Sequence, residues 1–246
     1  MSLPYLLIAA PIHESKRYII KQWIEHLSKI EYPNRDILLV DNSPTDDFYN
    51  EILPLCHEHL IRVKHFPGLD ARYHKHARYA NIEAAYNLIR QYTLLGKYDL
   101  LGFIECDNFP PVNFLTKWRA DLAAHQSGVI IAPYWNNGQY DMDHKLLMTD
   151  VEDHIILLQK RMLEPLEAFG RMDGKVKQCY GGAFGTLLMH TSVLLKIAFH
   201  AEHPTGFCDT FFFVDCFDQN VKVIMDCSMP VQHINEPYYL DAAAHS

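Results

Sequence analysis

Short runs of Leu, Ile and Val recur along the first half of the chain, at Leu6 to Ala10, Ile37 to Val40, Ile61 to Val63, Leu100 to Ile104 and Val129 to Ala132. Continuous apolar runs of this length suit strands buried on both faces. Between them the apolar positions adopt a helical spacing: Ile20, Trp23, Ile24, Leu27 and Ile30 form one stripe. Ala84, Ala85, Leu88, Ile89 and Tyr92 form another, in a helix that runs from about Tyr79 and that Gly96 ends. The alternation of strand and helix implies an α/β fold with a mostly parallel central sheet flanked by helices. In such sheets ligands settle beyond the carboxyl ends of the strands, where loops and helix N-termini converge.

After Pro133 the rhythm breaks. Tyr134 to Asp150 is rich in Asn, Asp, Gly and Tyr and reads as a long loop. A helix is expected from Glu152 toward Gly170, bent at Pro165. Gly181-Gly182-Ala183-Phe184-Gly185 then leads into Thr186 to His190, a helix near Ser192 to Phe199, and a late strand over Met229 to Gln232. There is no internal repeat, low-complexity tract or linker, so residues 1–246 read as one domain with an inserted central segment.

Composition narrows the function classes. The chain has 246 residues, 49% of them hydrophobic, enough to fill a sizeable core. A formal charge of −8 gives no footprint for tracking a phosphate backbone, so general nucleic-acid binding is not expected. The six cysteines form no CxxC pair, which argues against a disulfide scaffold or zinc ribbon and for a reducing, cytoplasmic setting. The apolar stretch from Leu3 to Ile12 lacks a basic leader and reads as a first strand. No apolar run approaches the about 20 residues that cross a bilayer, so no transmembrane segment is expected.

The ends of the strands carry the candidate chemistry. The first ends in Pro11-Ile12-His13-Glu14, the second in Asp41-Asn42-Ser43-Pro44, the fourth in Glu105-Cys106-Asp107-Asn108, ahead of the helix-starting pair Pro110-Pro111. In an extended chain Glu105 and Asp107 point the same way, and paired oxygens suit Mg²⁺ or Mn²⁺ completed by substrate phosphates. The plain alternative is two acids capping a strand and a helix. Asp41 is placed to accept a hydrogen bond from a base or ribose, or simply to form a turn. Arg72, Lys75, Arg78 and Asn81 cluster at a helix start, where the cations would neutralise a diphosphate or solvate a loop. Asp209, beside an apolar segment, suits a general base or a helix cap. His233 is a late imidazole able to complete a metal shell, though one among 15 histidines.

The order of these segments resembles a family. LLIAAPIHES, ILLVDNSPTDD, RYANIEAAYNLI, LLGFIECDNFPP, GGAFGTLLMHTSVL, CDTFFF and VQHI look like family 2 glycosyltransferases with the GT-A (nucleotide-diphospho-sugar transferase) fold, over about Leu6 to Asn235. The resemblance implies a donor nucleotide half of about residues 1–133 and an acceptor and catalytic half of about 134–246. It implies a UDP- or GDP-sugar donor, bound near Pro11, Glu14 and Asp41, with Glu105 and Asp107 filling the metal motif. Gly181 and Gly182 would line the sugar pocket, Asp209 would act as base, and His233 would stand near the cation. Two positions depart from the pattern: Glu105 replaces the usual first Asp, a longer side chain of the same charge that leaves both direct and water-mediated coordination open, and Cys208 stands where the family usually has Glu. Asp215 is the nearby substitute for Asp209.

The expected activity is a hexosyltransferase-like, inverting sugar transfer to a hydroxyl acceptor. The acceptor site would be shaped by the segment from Tyr134, with Tyr134, Trp135 and Tyr140 offering stacking faces. Rival readings are a nucleotidyltransferase, for which PIHESKR is a poor phosphate loop, and a non-catalytic nucleotide-sugar-binding protein, motivated by the Glu105 and Cys208 departures.

Overall fold

The first apolar run serves two cores at once. Leu6, Ile8, Ala10 and Ile12 pack on one side with Trp23, Phe48 and Trp118; Leu7 and Ala9 pack on the other with Tyr86, Ile89, Phe184 and Phe212. Alternate residues of a strand face opposite ways, so a strand covered on both faces is apolar throughout. Leu100 to Ile104 repeats the arrangement, sending Leu100 and Ile104 to the first core and Leu101 and Phe103 to the second.

The computed structural model describes residues 3–70, 76–136, 174–201, 208–229 and 231–234, with 134–136 as backbone. The strands are β1 (Leu6–Ile12), β2 (Arg35–Asp41), β3 (Arg62–His65), β4 (Leu100–Ile104), β5 (Asn108–Phe109), β6 (Val129–Ile131), β7 (Tyr134–Asn136), β8 (Val176–Cys179), β9 (Thr186–His190), β10 (Val223–Asp226) and β11 (Val231–His233). The helices are α1 (Ile20–Ser28), α2 (Asp47–Glu58), α3 (Ala77–Leu95), α4 (Phe114–His125), α5 (Thr191–Lys196) and α6 (Cys208–Asp218), with a 3-10 turn over Glu14–Lys16. An eight-stranded sheet runs β3-β2-β1-β4-β9-β6-β10-β8. Its pairs are parallel except where β9 meets β4 and β6 and where β8 meets β10. The carboxyl ends of β1, β2, β3, β4, β6 and β10 therefore share one edge.

A second sheet, β5-β11-β7, sits at that edge. Its register pairs His233 with Asn108, and the Ile234 amide donates to the Asp107 carbonyl at 2.8 Å. A strand from the end of the described chain is thus fastened to the residues that follow β4.

Several elements differ from expectation. The third strand runs over Arg62–His65, with only alternating, partial burial, because it lies at the sheet's edge. The late strand is Val231–His233 instead of Met229 to Gln232. The helix near Ser192 to Phe199 stops at Lys196; Ile197 is extended, which lets Phe199 stack on Phe212 at 5.5 Å between ring centres. The loop over Tyr134 to Asp150 begins as β7, and the helix expected from Glu152 lies outside the described residues.

Candidate functional site

The loop after β4 is a turn, not a continued strand. The Asn108 amide donates to the Glu105 carbonyl at 2.9 Å, and the Glu105 amide donates to Gly185 at 2.8 Å. The side-chain alternation expected for Glu105 and Asp107 does not apply across this turn, and the two carboxylates meet different partners. Glu105 Oε1 stands 3.4 Å from the Tyr86 hydroxyl on α3. Burial, and then the charges of Glu105 and Asp209, push the Tyr86 hydroxyl pKa far up, so it stays a neutral donor between two acids.

Asp107 is held at both oxygens. Oδ1 accepts from the Asn108 amide group at 3.0 Å, and Oδ2 accepts from Lys16 Nζ at 2.5 Å. His233 Nε2 lies 3.3 Å from the same Oδ2. Burial pushes the Asp107 carboxyl up, but the His233 hydrogen bond and the Lys16 charge outweigh it and hold its pKa at about 2.

A carboxylate oxygen and an imidazole nitrogen 3.3 Å apart could together hold a divalent cation in place of the hydrogen bond between them. Among the described residues no group of three or more His, Cys, Asp or Glu converges, so substrate oxygens and water would complete the shell.

Lys16 reaches this site because its loop is tied down. His13 caps the 3-10 turn by accepting the Ser15 amide at 3.1 Å, and Ser43 Oγ accepts the Glu14 amide at 2.9 Å. Ser43 Oγ in turn donates to Asp41 Oδ1 at 2.6 Å. Asp41 is fully buried; its Oδ1 also takes the Ser43 amide at 3.0 Å, and its Oδ2 takes His65 Nδ1 at 2.9 Å. Because Asp41 is fully buried, a base could hydrogen-bond it directly only if its covering groups moved. Asn81 is likewise committed, exchanging two hydrogen bonds with the backbone of Leu69 at 2.7 and 2.8 Å. Gly68 is required beneath that clamp, because a Cβ there would stand 2.3 Å from the Asn42 carbonyl oxygen.

The remaining expected residues fall as follows. Pro11 is half-buried in β1 opposite Val40, and Glu14 opens the 3-10 turn. Arg78 is exposed on the first turn of α3; burial lowers the His13 pKa against the charges of Glu14 and Asp41, and Arg78 adds a smaller lowering. Arg72 and Lys75 lie outside the described residues, as does Tyr140; Tyr134 and Trp135 belong to β7. Gly181 and Gly182 are buried, and a Cβ on Gly182 would stand 2.3 Å from Ile131 Cδ1.

Asp209 occupies the first turn of α6, half-buried, and accepts the Thr210 amide at 2.8 Å. Beside it the Cys208 thiol is buried and pushed up to about 12 by burial and then by Glu83 and Asp209, so it cannot stand in for a carboxylate. Asp215 lies farther along the same helix, paired with His200 at 2.9 Å.

Sequence reading gave no role to Lys16, Ser43, His65, Gly68 or Glu83. The signal for Lys16 was its place four residues past the end of β1. The others act through contacts between separate segments that no local pattern encodes.

No protein-family model and no curated relative matches the chain. Solved structures do. TarS 1–349 from S. aureus in complex with UDP-GlcNAc superposes with a TM-score of 0.56 at 13% identity, covering 95% of this chain and 60% of that one. Glucosyl-3-phosphoglycerate synthase from Mycobacterium tuberculosis, with Mn²⁺, UDP and glucosyl-3-phosphoglycerate, gives 0.57 at 12% identity, over 98% and 75%. GalNAc-T7 with UDP, GalNAc and Mn²⁺ gives 0.56 at 11%, over 95% and 44%. The chain spans about 60% of the TarS fragment's length. At these identities the likeness is one of architecture: the chain has the GT-A glycosyltransferase fold.

Proposed function

We propose that this chain transfers a sugar from a nucleoside diphosphate sugar, UDP- or GDP-linked, to a hydroxyl acceptor, with inversion and with a divalent cation. The observation that carries the reading is the meeting of Asp107 and His233, 126 positions apart in sequence, on one oxygen-and-nitrogen pair at the carboxyl edge of a GT-A sheet. Solved structures of the same fold hold UDP, and two hold Mn²⁺.

Asp107 and His233 would hold the cation, whose chemistry when bound is to offset charge on the departing diphosphate. Glu105, turned toward Tyr86, would act on the donor's sugar side directly or through water. Arg78, with Arg72 and Lys75 from the sequence just before it, would add positive charge at the diphosphate. Pro11, Glu14 and Asp41 would border the base, with Asp41 acting by bracing Ser43 and His65. Gly181 and Gly182 would line the sugar. Asp209 would take the proton from the acceptor hydroxyl as its oxygen bonds to the anomeric carbon; the carbon–oxygen bond to the diphosphate breaks, and the electron pair leaves with it. A half-buried carboxylate at this point can do so without a covalent intermediate.

The test separates binding from turnover. Asp209→Asn is expected to bind UDP with Mn²⁺ as the parent does and to lose release of UDP from a UDP-sugar, followed by a coupled assay. Turnover at the parent rate would remove Asp209 from the role of base. The non-catalytic reading, favoured by Cys208, expects donor binding with no UDP release from the parent either.

A further inference from the structure

Resting on the donor site just proposed, we infer that Lys16 is a resident counter-ion, which holds Asp107 until cation and nucleotide arrive and then passes to the diphosphate. It would make the two ligands bind cooperatively.

The geometry sets up a competition. Lys16 Nζ and His233 Nε2 approach the same atom, Asp107 Oδ2, at 2.5 and 3.3 Å. A cation held between Asp107 Oδ2 and His233 Nε2 would have to share that oxygen with the ammonium. A divalent ion and an ammonium so close repel more strongly than two unit charges at the same distance. One must leave.

Lys16 is the group able to move. Its backbone is pinned, the amide donating to His13 at 2.9 Å within the turn that Ser43 anchors, but its side chain is 33% exposed and the Asp107 side chain 6%. A lysine carries a point charge on a flexible four-carbon stem, so the head can swing while the loop stays. Among the described residues, the other groups facing it offer no second anion. The Tyr18 ring centre lies 5.8 Å away, and its hydroxyl donates to the Ile234 carbonyl. A released ammonium therefore needs a new anionic partner, and the donor diphosphate is the anion the same cation would bring within reach.

Binding of the cation alone then leaves Lys16 without its carboxylate, and binding of the nucleotide alone draws Lys16 from Asp107. Binding together satisfies both, which is positive coupling and by linkage equal in both directions.

The experiment titrates free Mn²⁺ by electron paramagnetic resonance, with and without saturating UDP, on the parent, Lys16→Met, Lys16→Arg and Asp107→Ala, each checked for folding by circular dichroism. The parent is expected to bind Mn²⁺ at least ~30-fold more tightly with UDP than without. Lys16→Met should bind Mn²⁺ alone ~10-fold more tightly than the parent, and UDP should then improve it less than ~5-fold. Lys16→Arg, which keeps the charge, should retain the coupling. If Lys16→Met leaves both affinities unchanged while Asp107→Ala abolishes Mn²⁺ binding, the counter-ion role fails and the donor site stands. If neither Mn²⁺ nor UDP binds the parent or Lys16→Met, the donor site itself falls, and this role with it.

Discussion

Replacing Asp107 with Asn keeps the shape of the residue at the centre of the site and removes its charge. The folded protein holds this carboxyl at about 2 against an ordinary 3.8. At ~1.4 kcal/mol for each tenfold change in proton affinity, that difference amounts to about 2 kcal/mol of stability. The sign follows from the lowered value. The contribution is fully present above the unfolded value near 4 and is lost as pH falls toward 2. Asp107→Asn should therefore cost about 2 kcal/mol in urea unfolding at pH 7, and about half that at pH 3. Lys16 and His233 contribute through the same carboxylate, so Lys16→Met in the Asn background should add little further cost. Equal stability of parent and variant at pH 7, or a gap that widens on acidification, would refute the assignment of Asp107 as a paired, buried anion.

Other substitutions probe what positions the site. Asp226 is fully buried, accepting from Ser228 on one oxygen and from Lys117 at 2.6 Å and Trp118 at 3.0 Å on the other. Asp226→Asn turns an acceptor into a donor facing other donors and should cost about 3 kcal/mol, read as a fall in Tm of about 6–12 °C. Gly68→Ala and Gly182→Ala both create contacts of 2.3 Å. The first meets a backbone carbonyl and the second the tip of Ile131, which can rotate. Gly68→Ala should accordingly cost more, toward the upper end of about 1–3 kcal/mol, and should also weaken UDP binding.

Much of the sheet was legible because burial on both faces writes itself as uninterrupted Leu, Ile and Val. Leu100 to Ile104 was read with the bounds the strand has. The antiparallel direction of β9 was not, since it depends on which neighbours flank it, β4 and β6, and each lies more than 50 residues away in sequence. Helix α2 also went unread; its buried face is only Phe48, Ile52 and Cys56, and Pro54 interrupts the pattern. At the site, residue types were readable and their pairings were not. Asp107 and His233 were expected near one cation and do stand together, but Glu105 turns to Tyr86 because a hydrogen-bonded turn ends the strand alternation. Asp41 was readable as a polar strand end. That it braces Ser43 and His65 depends on β3 lying beside β2 and on the turn after β1.

The central claim is that the carboxyl edge of the sheet binds a nucleoside diphosphate through a cation at Asp107. A thermal-shift screen of UDP, GDP and their sugars, each with and without Mn²⁺, tests it on the intact chain. At ~100-fold excess over Kd a ligand adds about 2.7 kcal/mol, so at least one nucleotide should raise Tm by ~5 °C or more with Mn²⁺. The rise should be much smaller without the metal and absent in Asp107→Ala. Failure of every nucleoside diphosphate and sugar to stabilise the protein, with or without Mn²⁺, would contradict the account.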